Sequence, residues 1–340
     1  MASDAAGGHP TPSDRAGEPL DIAAALHRGG AGEVARGGLS DIERSLFADA
    51  ADGKLEQHSL LVATLVASGV ESPEVLDHYQ RQIEEYAAEL KQSGALTGSG
   101  REDTEAVFNF LHRRILLGGY RIDCTDLRTA LDEGRYNCVS ASVLFQCLAE
   151  RCGLTVRGLE MPGHAMSRVY LAEEVLDVET TCAAWFRLMD DPKRQAQSVR
   201  ETLGTTPAGR DVSAREISSV GLVAMVYYNR GVDLLAKGRY AEAALANAKA
   251  LVLDPGNQTA RGNLLATVNN WAIALGQSGR LAEAVGLLEA GLTFAPHYEP
   301  FTLNLAHVQY QRQKQHAEDA PHGEQPVGAG RRAAAAHADP

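Results

Sequence analysis

Three residue types in one order along this chain could make a nucleophilic acyl-transfer site: Cys138, then His164, then an acid at Asp177 or Glu179. A thiolate attacks carbonyl carbon, an imidazole takes and returns the proton, and an acceptor holds the imidazole in the right tautomer. Asn137 is a good N-cap, and Val139, Val143, Leu144, Cys147 and Leu148 form a one-sided apolar stripe behind it. Gly153 stands where a helix commonly ends in a left-handed residue. The spacing therefore predicts Cys138 in the first turn of a helix, where unpaired N–H groups and the positive dipole end favour a thiolate. The backbone N–H of Cys138 could donate to a developing oxyanion, with Asn137 the nearest side-chain candidate. On helix position alone, a buried inert thiol like Cys147 or Cys152 is the commoner outcome; the histidine and acids downstream reverse that balance.

The elements that must position these groups change character at Gly153. Residues 154–160 read as a strand broken by Met161-Pro162-Gly163, and 164–171 and 175–180 as two more strands joined by a tight turn. Alternation puts His164, Met166 and Arg168 on one face, and Asp177 and Glu179 on one face of theirs. A turn on Leu171-Ala172 sets Glu179 opposite His164, and a turn one residue earlier favours Asp177, so spacing leaves both acids open. Singly, either acid is equally well a solvated sheet charge, and His164 after Pro162-Gly163 a turn residue.

Upstream, residues 1–20 are rich in Gly, Pro, Ser, Asp and Ala and read as disordered. A helical lead-in follows over 21–100. In it Ser72-Pro73 starts a helix whose Val75, Leu76, Tyr79, Ile83, Tyr86, Ala87 and Leu90 share a face. A domain over 101–190 has helices at 104–117 and from Thr125-Asp126-Leu127 to Leu131 before the cysteine segment. Residues 191–219 are polar, with Thr205-Thr206-Pro207-Ala208-Gly209, and read as a linker.

Beyond it the chain repeats: Gly238-Arg239-Tyr240-Ala241-Glu242-Ala243 returns as Gly279-Arg280-Leu281-Ala282-Glu283-Ala284, and Leu253-Asp254-Pro255 as Phe294-Ala295-Pro296, both 41 residues on. A closing helix over about 298–314 completes a region assigned to 220–314, and 315–340 read as a disordered tail. So short an array buries its apolar faces only on neighbours, and is expected to pack on the first domain.

The chain has 340 residues, 44% apolar and 22% charged, as in ordinary globular proteins. Its net charge of -12 and the lack of basic-aromatic interleaving argue against a nucleic-acid partner. The start has no basic region followed by an apolar run, and no stretch has the length of a membrane span. Five cysteines without a C-x-x-C pair fit free thiols in a reducing, cytoplasmic setting. No cofactor or metal is expected; a zinc site of Cys138, His164 and Cys182 is the least favoured reading. Trp185-Phe186 reads as core packing, and His58, His78, His112, His297 and His307 as surface or satisfied residues.

The residues Tyr136-Asn137-Cys138-Val139-Ser140-Ala141, Gly153-Leu154, Pro162-Gly163-His164 and Asp177-Val178-Glu179-Thr180-Thr181 resemble the transglutaminase-like superfamily, a papain-type Cys-His-Asp fold, over about 104–186. The resemblance is greatest to bacterial members joined to tetratricopeptide repeats. It implies an α+β fold in which a cysteine-bearing helix packs on a small antiparallel sheet. It also implies Cys138 as nucleophile, His164 as base and Asp177 as orienting acid; Glu179 and Asn137 stay candidates for an alternative orienting acid or a support. In the second region Gly231, Gly238, Tyr240, Ala243, Ala250 and Pro255 stand at tetratricopeptide spacing in the first copy. Trp271, Ala272, Gly279, Ala284 and Pro296 do so in the second, with Gly291 in place of the usual alanine. The usual period is about 34 residues, so a longer period implies a lengthened helix between the copies. The activity implied is cysteine-dependent acyl transfer on protein or peptide amides, as protease, amidase or transamidase, with the repeats recruiting a protein partner. Relatives of this layout often lack the cysteine, so an inert binding scaffold is the alternative. The 26-residue Cys-to-His interval is short, and Ala165-Met166 follow the histidine where many active members have an aromatic.

Overall fold

The computed structural model describes residues 22–203 and 214–319. The expected disordered start, the Thr205–Gly209 stretch and most of the expected tail lie outside them. Serine caps open several helices, because a short hydroxyl can take a first-turn N–H that has no partner within the helix. Ser40, Ser59 and Ser72 do this for α2 (Asp41–Asp49), α3 (Leu60–Ala67) and α4 (Pro73–Gln92), which follow α1 (Ile22–Gly37). Then come α5 (Gly100–Phe110), a π turn (Leu111–Ile115), β1 (Gly119–Tyr120), α6 (Leu127–Glu133) and β2 (Arg135–Tyr136).

The cysteine helix α7 (Cys138–Arg151) is buried along nearly its whole length. It packs on the sheet formed by β3 (Thr155–Met161), β4 (His164–Tyr170) and β5 (Val175–Val178). The sheet has a fourth strand. Residues expected as a linker contain α8 (Pro192–Leu203) and β6 (Arg215–Ile217), and β6 pairs antiparallel with β3 to give the order β5-β4-β3-β6. A three-residue strand carries almost no periodicity, and its pairing depends on an open edge of β3 that the local sequence does not reveal.

The C-terminal region is helical: α9 (Ser219–Ala236), α10 (Tyr240–Leu253), α11 (Gln258–Gln277), α12 (Leu281–Phe294) and α13 (Glu299–Asp319). The 41-residue offset is structural: α10 and α12 start and end 41 residues apart, and Gly238 and Gly279 both turn the chain with positive φ. α11 runs for 20 residues. α13 extends past residue 314, so the expected tail begins within a helix. Gly291 has a packing reason: a Cβ there would come within 2.7 Å of the fully buried Phe301 ring.

The helical lead-in divides. α1 lies against α10 and α12, whereas α3 and α4 lie against α7, and α3 also against α9. Between them a buried Glu43 carboxylate on α2 accepts two 2.7 Å hydrogen bonds from Lys249 on α10 and one from the Tyr227 hydroxyl on α9. At Lys249 burial outweighs pairing and lowers its pKa. At Glu43 burial alone would raise the pKa, but the Lys249 charge and the hydrogen bonds from Lys249, Ser40 and Tyr227 together outweigh it and hold the acid below its ordinary value. One large apolar core runs from Ala25 to Val308, so the C-terminal helices are packed on the first domain, and a small second cluster of Leu234, Ala243 and Ala246 lies outside it.

Candidate functional site

Asn137 builds the start of α7. Its Oδ1 accepts from the N–H of Val139 (2.9 Å) and Ser140 (3.0 Å), while Nδ2 donates to Thr125 Oγ1 (2.6 Å) and the Ile122 carbonyl (3.2 Å). The cap engages the second and third N–H of the helix and not the first, which belongs to Cys138. Asn137 thus caps the helix with its oxygen, and its amide nitrogen is committed to Thr125 and Ile122. Cys138 is 8% exposed and lines a cavity of about 370 Å³ together with His164.

His164 opens β4 opposite Met161, across the Pro162-Gly163 turn. Its Nε2 lies 2.6 Å from Glu179 Oε2, and both residues are buried. The other Glu179 oxygen accepts from the Thr181 N–H and hydroxyl. Burial alone would lower the His164 pKa, but hydrogen bonding and charge from Cys138 and Glu179 outweigh it and raise it to about 10. With Nε2 given to Glu179, Nδ1 is the ring nitrogen left for the Cys138 sulfur.

The position expected of the acid is corrected here. Asp177 does not reach His164; it pairs across the strands with Arg168, at 2.7 and 3.0 Å to the guanidinium. The β4–β5 turn is longer than expected, with Leu171 donating to Glu174, so Tyr170 faces Val175. That lengthening carries Asp177 opposite Arg168 and leaves Glu179, just past the end of β5, to curl back to the histidine.

The segment bearing Glu179 is held from beneath. The π turn brings His112 to the Thr180 carbonyl (3.0 Å), and burial lowers the His112 pKa to about 4, keeping it neutral. The Tyr136 hydroxyl donates to the Thr181 carbonyl, and Ser142 and Thr180 share a hydroxyl hydrogen bond. His112 is therefore satisfied, as expected. Trp185 and Phe186 pack in the core, and Cys182 donates to Ser198 Oγ. All five cysteines are free, and among the described residues no three His, Cys, Asp or Glu groups are placed to hold a metal ion.

Sequence reasoning missed the rest of the cavity. Tyr120, Ile122 and Asp123 come from β1 and the loop after it; Met225, Tyr228, Asn229, Val232 and Asp233 come from α9, and Thr259 and Asn263 from α11. One wall of the cleft is thus made by the C-terminal helices. Tyr228 is fixed there by donating to Glu160 on β3 (3.2 Å), a carboxylate that also accepts from Asn257 and Arg215. No local signal marks these positions, since their α9 spacing is that of any amphipathic helix.

The fold thus brings a helix-borne cysteine, a strand-borne histidine and the carboxylate bonded to that histidine together beside one cavity. Residues 77–186 match the model of the transglutaminase-like superfamily. The match opens within α4 and takes in Cys138, His164 and Glu179, leaving α9–α13 outside. No curated protein and no solved structure matches the chain. No described helix is long and apolar enough to cross a membrane.

Proposed function

We propose that the chain is a cysteine acyltransferase of the transglutaminase-like kind, acting on protein or peptide amides, in which Cys138 is the nucleophile, His164 the proton carrier and Glu179 the orienting acid. The observation that carries the reading is the buried His164–Glu179 pair set against the sulfur at the helix start, in a cavity. The Cys138 sulfur forms a bond to the acyl carbon, the carbonyl electron pair moves to oxygen, and collapse expels the amine, which takes its proton from His164. The resulting thioester is resolved by water or by an amine, with His164 accepting the incoming proton.

The helical region is read as a tetratricopeptide-type array. Its α9 and α11 side chains at the cleft support a role in presenting the acyl donor, and a protein partner would be engaged through the repeats.

A generic activated ester tests the chemistry. 4-Nitrophenyl acetate should give a stoichiometric burst of 4-nitrophenolate and an acetylated Cys138 by mass spectrometry, both absent from Cys138→Ala. An unaltered burst in that variant would overturn the proposal. The low exposure of Cys138 favours a second reading, an inert binding scaffold. In that case wild type gives no burst and Cys138 resists alkylation in the folded protein.

A further inference from the structure

An acyl-transfer site needs a donor for the oxyanion besides the Cys138 N–H, and Asn137 is not free to be one. Tyr228 is committed to Glu160. Tyr120 is not committed: its hydroxyl has no hydrogen-bond partner among the described residues, although the side chain lines the cavity beside Cys138 and His164. The backbone places it rigidly. β1 pairs in parallel with β2, setting Tyr120 against Tyr136, two residues before the nucleophile. The Arg121 N–H donates to the Tyr136 carbonyl (2.7 Å), and the two tyrosine rings meet edge to face at 6.1 Å.

We infer that the Tyr120 phenol is the side-chain donor to the oxyanion that forms when Cys138 attacks an acyl group, working with the Cys138 N–H. Burial, and next the charge of Cys138, raise the Tyr120 pKa above the ordinary phenol value, so the group stays an O–H donor through neutral pH. A phenol is also a stronger donor than the Asn229 and Asn263 amides on the opposite wall. No proton leaves Tyr120: its hydrogen bond strengthens as negative charge gathers on the carbonyl oxygen and relaxes when the leaving group departs.

This assignment rests on Cys138 being the nucleophile, and two probes on the full chain separate the two claims. 4-Nitrophenyl acetate reacts through a tetrahedral oxyanion, whereas iodoacetamide alkylates sulfur by direct displacement and forms none. Tyr120→Phe should slow Cys138 acetylation by about 10²-fold, the cost of one oxyanion donor, while alkylation by iodoacetamide stays at the wild-type rate and reports an intact fold. Equal loss of both reactions, or loss of neither, overturns the role of Tyr120 while leaving the nucleophile in place. The same holds if Asn229→Ala or Asn263→Ala slows acetylation and Tyr120→Phe does not. A wild-type chain that shows no Cys138-dependent acetylation overturns both claims.

Discussion

Glu179 stands 2.6 Å from His164 Nε2, while Asp177, two residues earlier within β5, is held by Arg168. The carboxylate near the imidazole is buried and anchored by Thr181, and the one at Arg168 is partly exposed. Burial strengthens the electrostatic effect of the first, whereas solvent screens the second. Two acids that look alike in sequence thus have separate partners: one is held buried against the His164 imidazole, and the other closes a cross-strand ion pair.

Glu179→Gln should lower Cys138 acetylation by 4-nitrophenyl acetate by roughly 10²–10⁴-fold, the range for losing effective acid-base catalysis. Asp177→Asn should leave that rate near wild type and cost at most about 1 kcal/mol in denaturant unfolding, as for exposed ion pairs. The reverse order of effects would return the orienting role to Asp177.

The stability contributed by His164 should depend on pH with a definite sign. Its folded pKa of about 10 lies above the free value of about 6.5, so its pairing stabilises fully below the free value and is lost as pH rises through the folded one. The gap in thermal midpoint between wild type and His164→Gln should be widest near pH 6 and shrink steadily toward about pH 10. A gap that widens with pH would show that the buried pair is not held in its charged form.

Asn137→Ala removes two N–H caps and strands the Thr125 hydroxyl and the Ile122 carbonyl. About 2–3 kcal/mol of unfolding free energy should be lost, and iodoacetamide should react with Cys138 less selectively. Asn137→Asp keeps the caps and should lose less. Urea titration of both variants reads the difference.

Gly291→Ala should destabilise this chain by about 1–3 kcal/mol, although alanine is the better helix former, because the new methyl meets Phe301 at 2.7 Å. Combining it with Phe301→Leu should recover part of the loss. A neutral single variant would mean that α13 can slide outward freely.

Lys249→Met leaves the Glu43 carboxylate buried without its cation and should cost about 3–5 kcal/mol. Adding Glu43→Gln should return most of it. Because α2, α9 and α10 meet at this cluster, the loss should appear in one unfolding transition shared by the near-ultraviolet signal and Cys138 alkylation. Two separated transitions would show that the helical array unfolds on its own.

What could be read from the chain alone was whatever short-range chemistry dictates. The Asn137 cap and the apolar stripe put Cys138 at a helix start, the Pro162-Gly163 turn put His164 at a strand start, and the 41-residue echo marked the paired helices. Each signal is local, coming from a cap, a periodicity or a turn residue. The choice between Asp177 and Glu179 was not local. It depended on the length of the 171–174 turn, and every residue added there shifts which acid comes opposite the histidine. The same holds for α1 docking on α10 and α12, for β6 joining β3, and for α9 closing the cleft over Cys138. An amphipathic face records that it must be covered but not by what, so only the packed structure decided which surfaces met and thereby which side chains line the site.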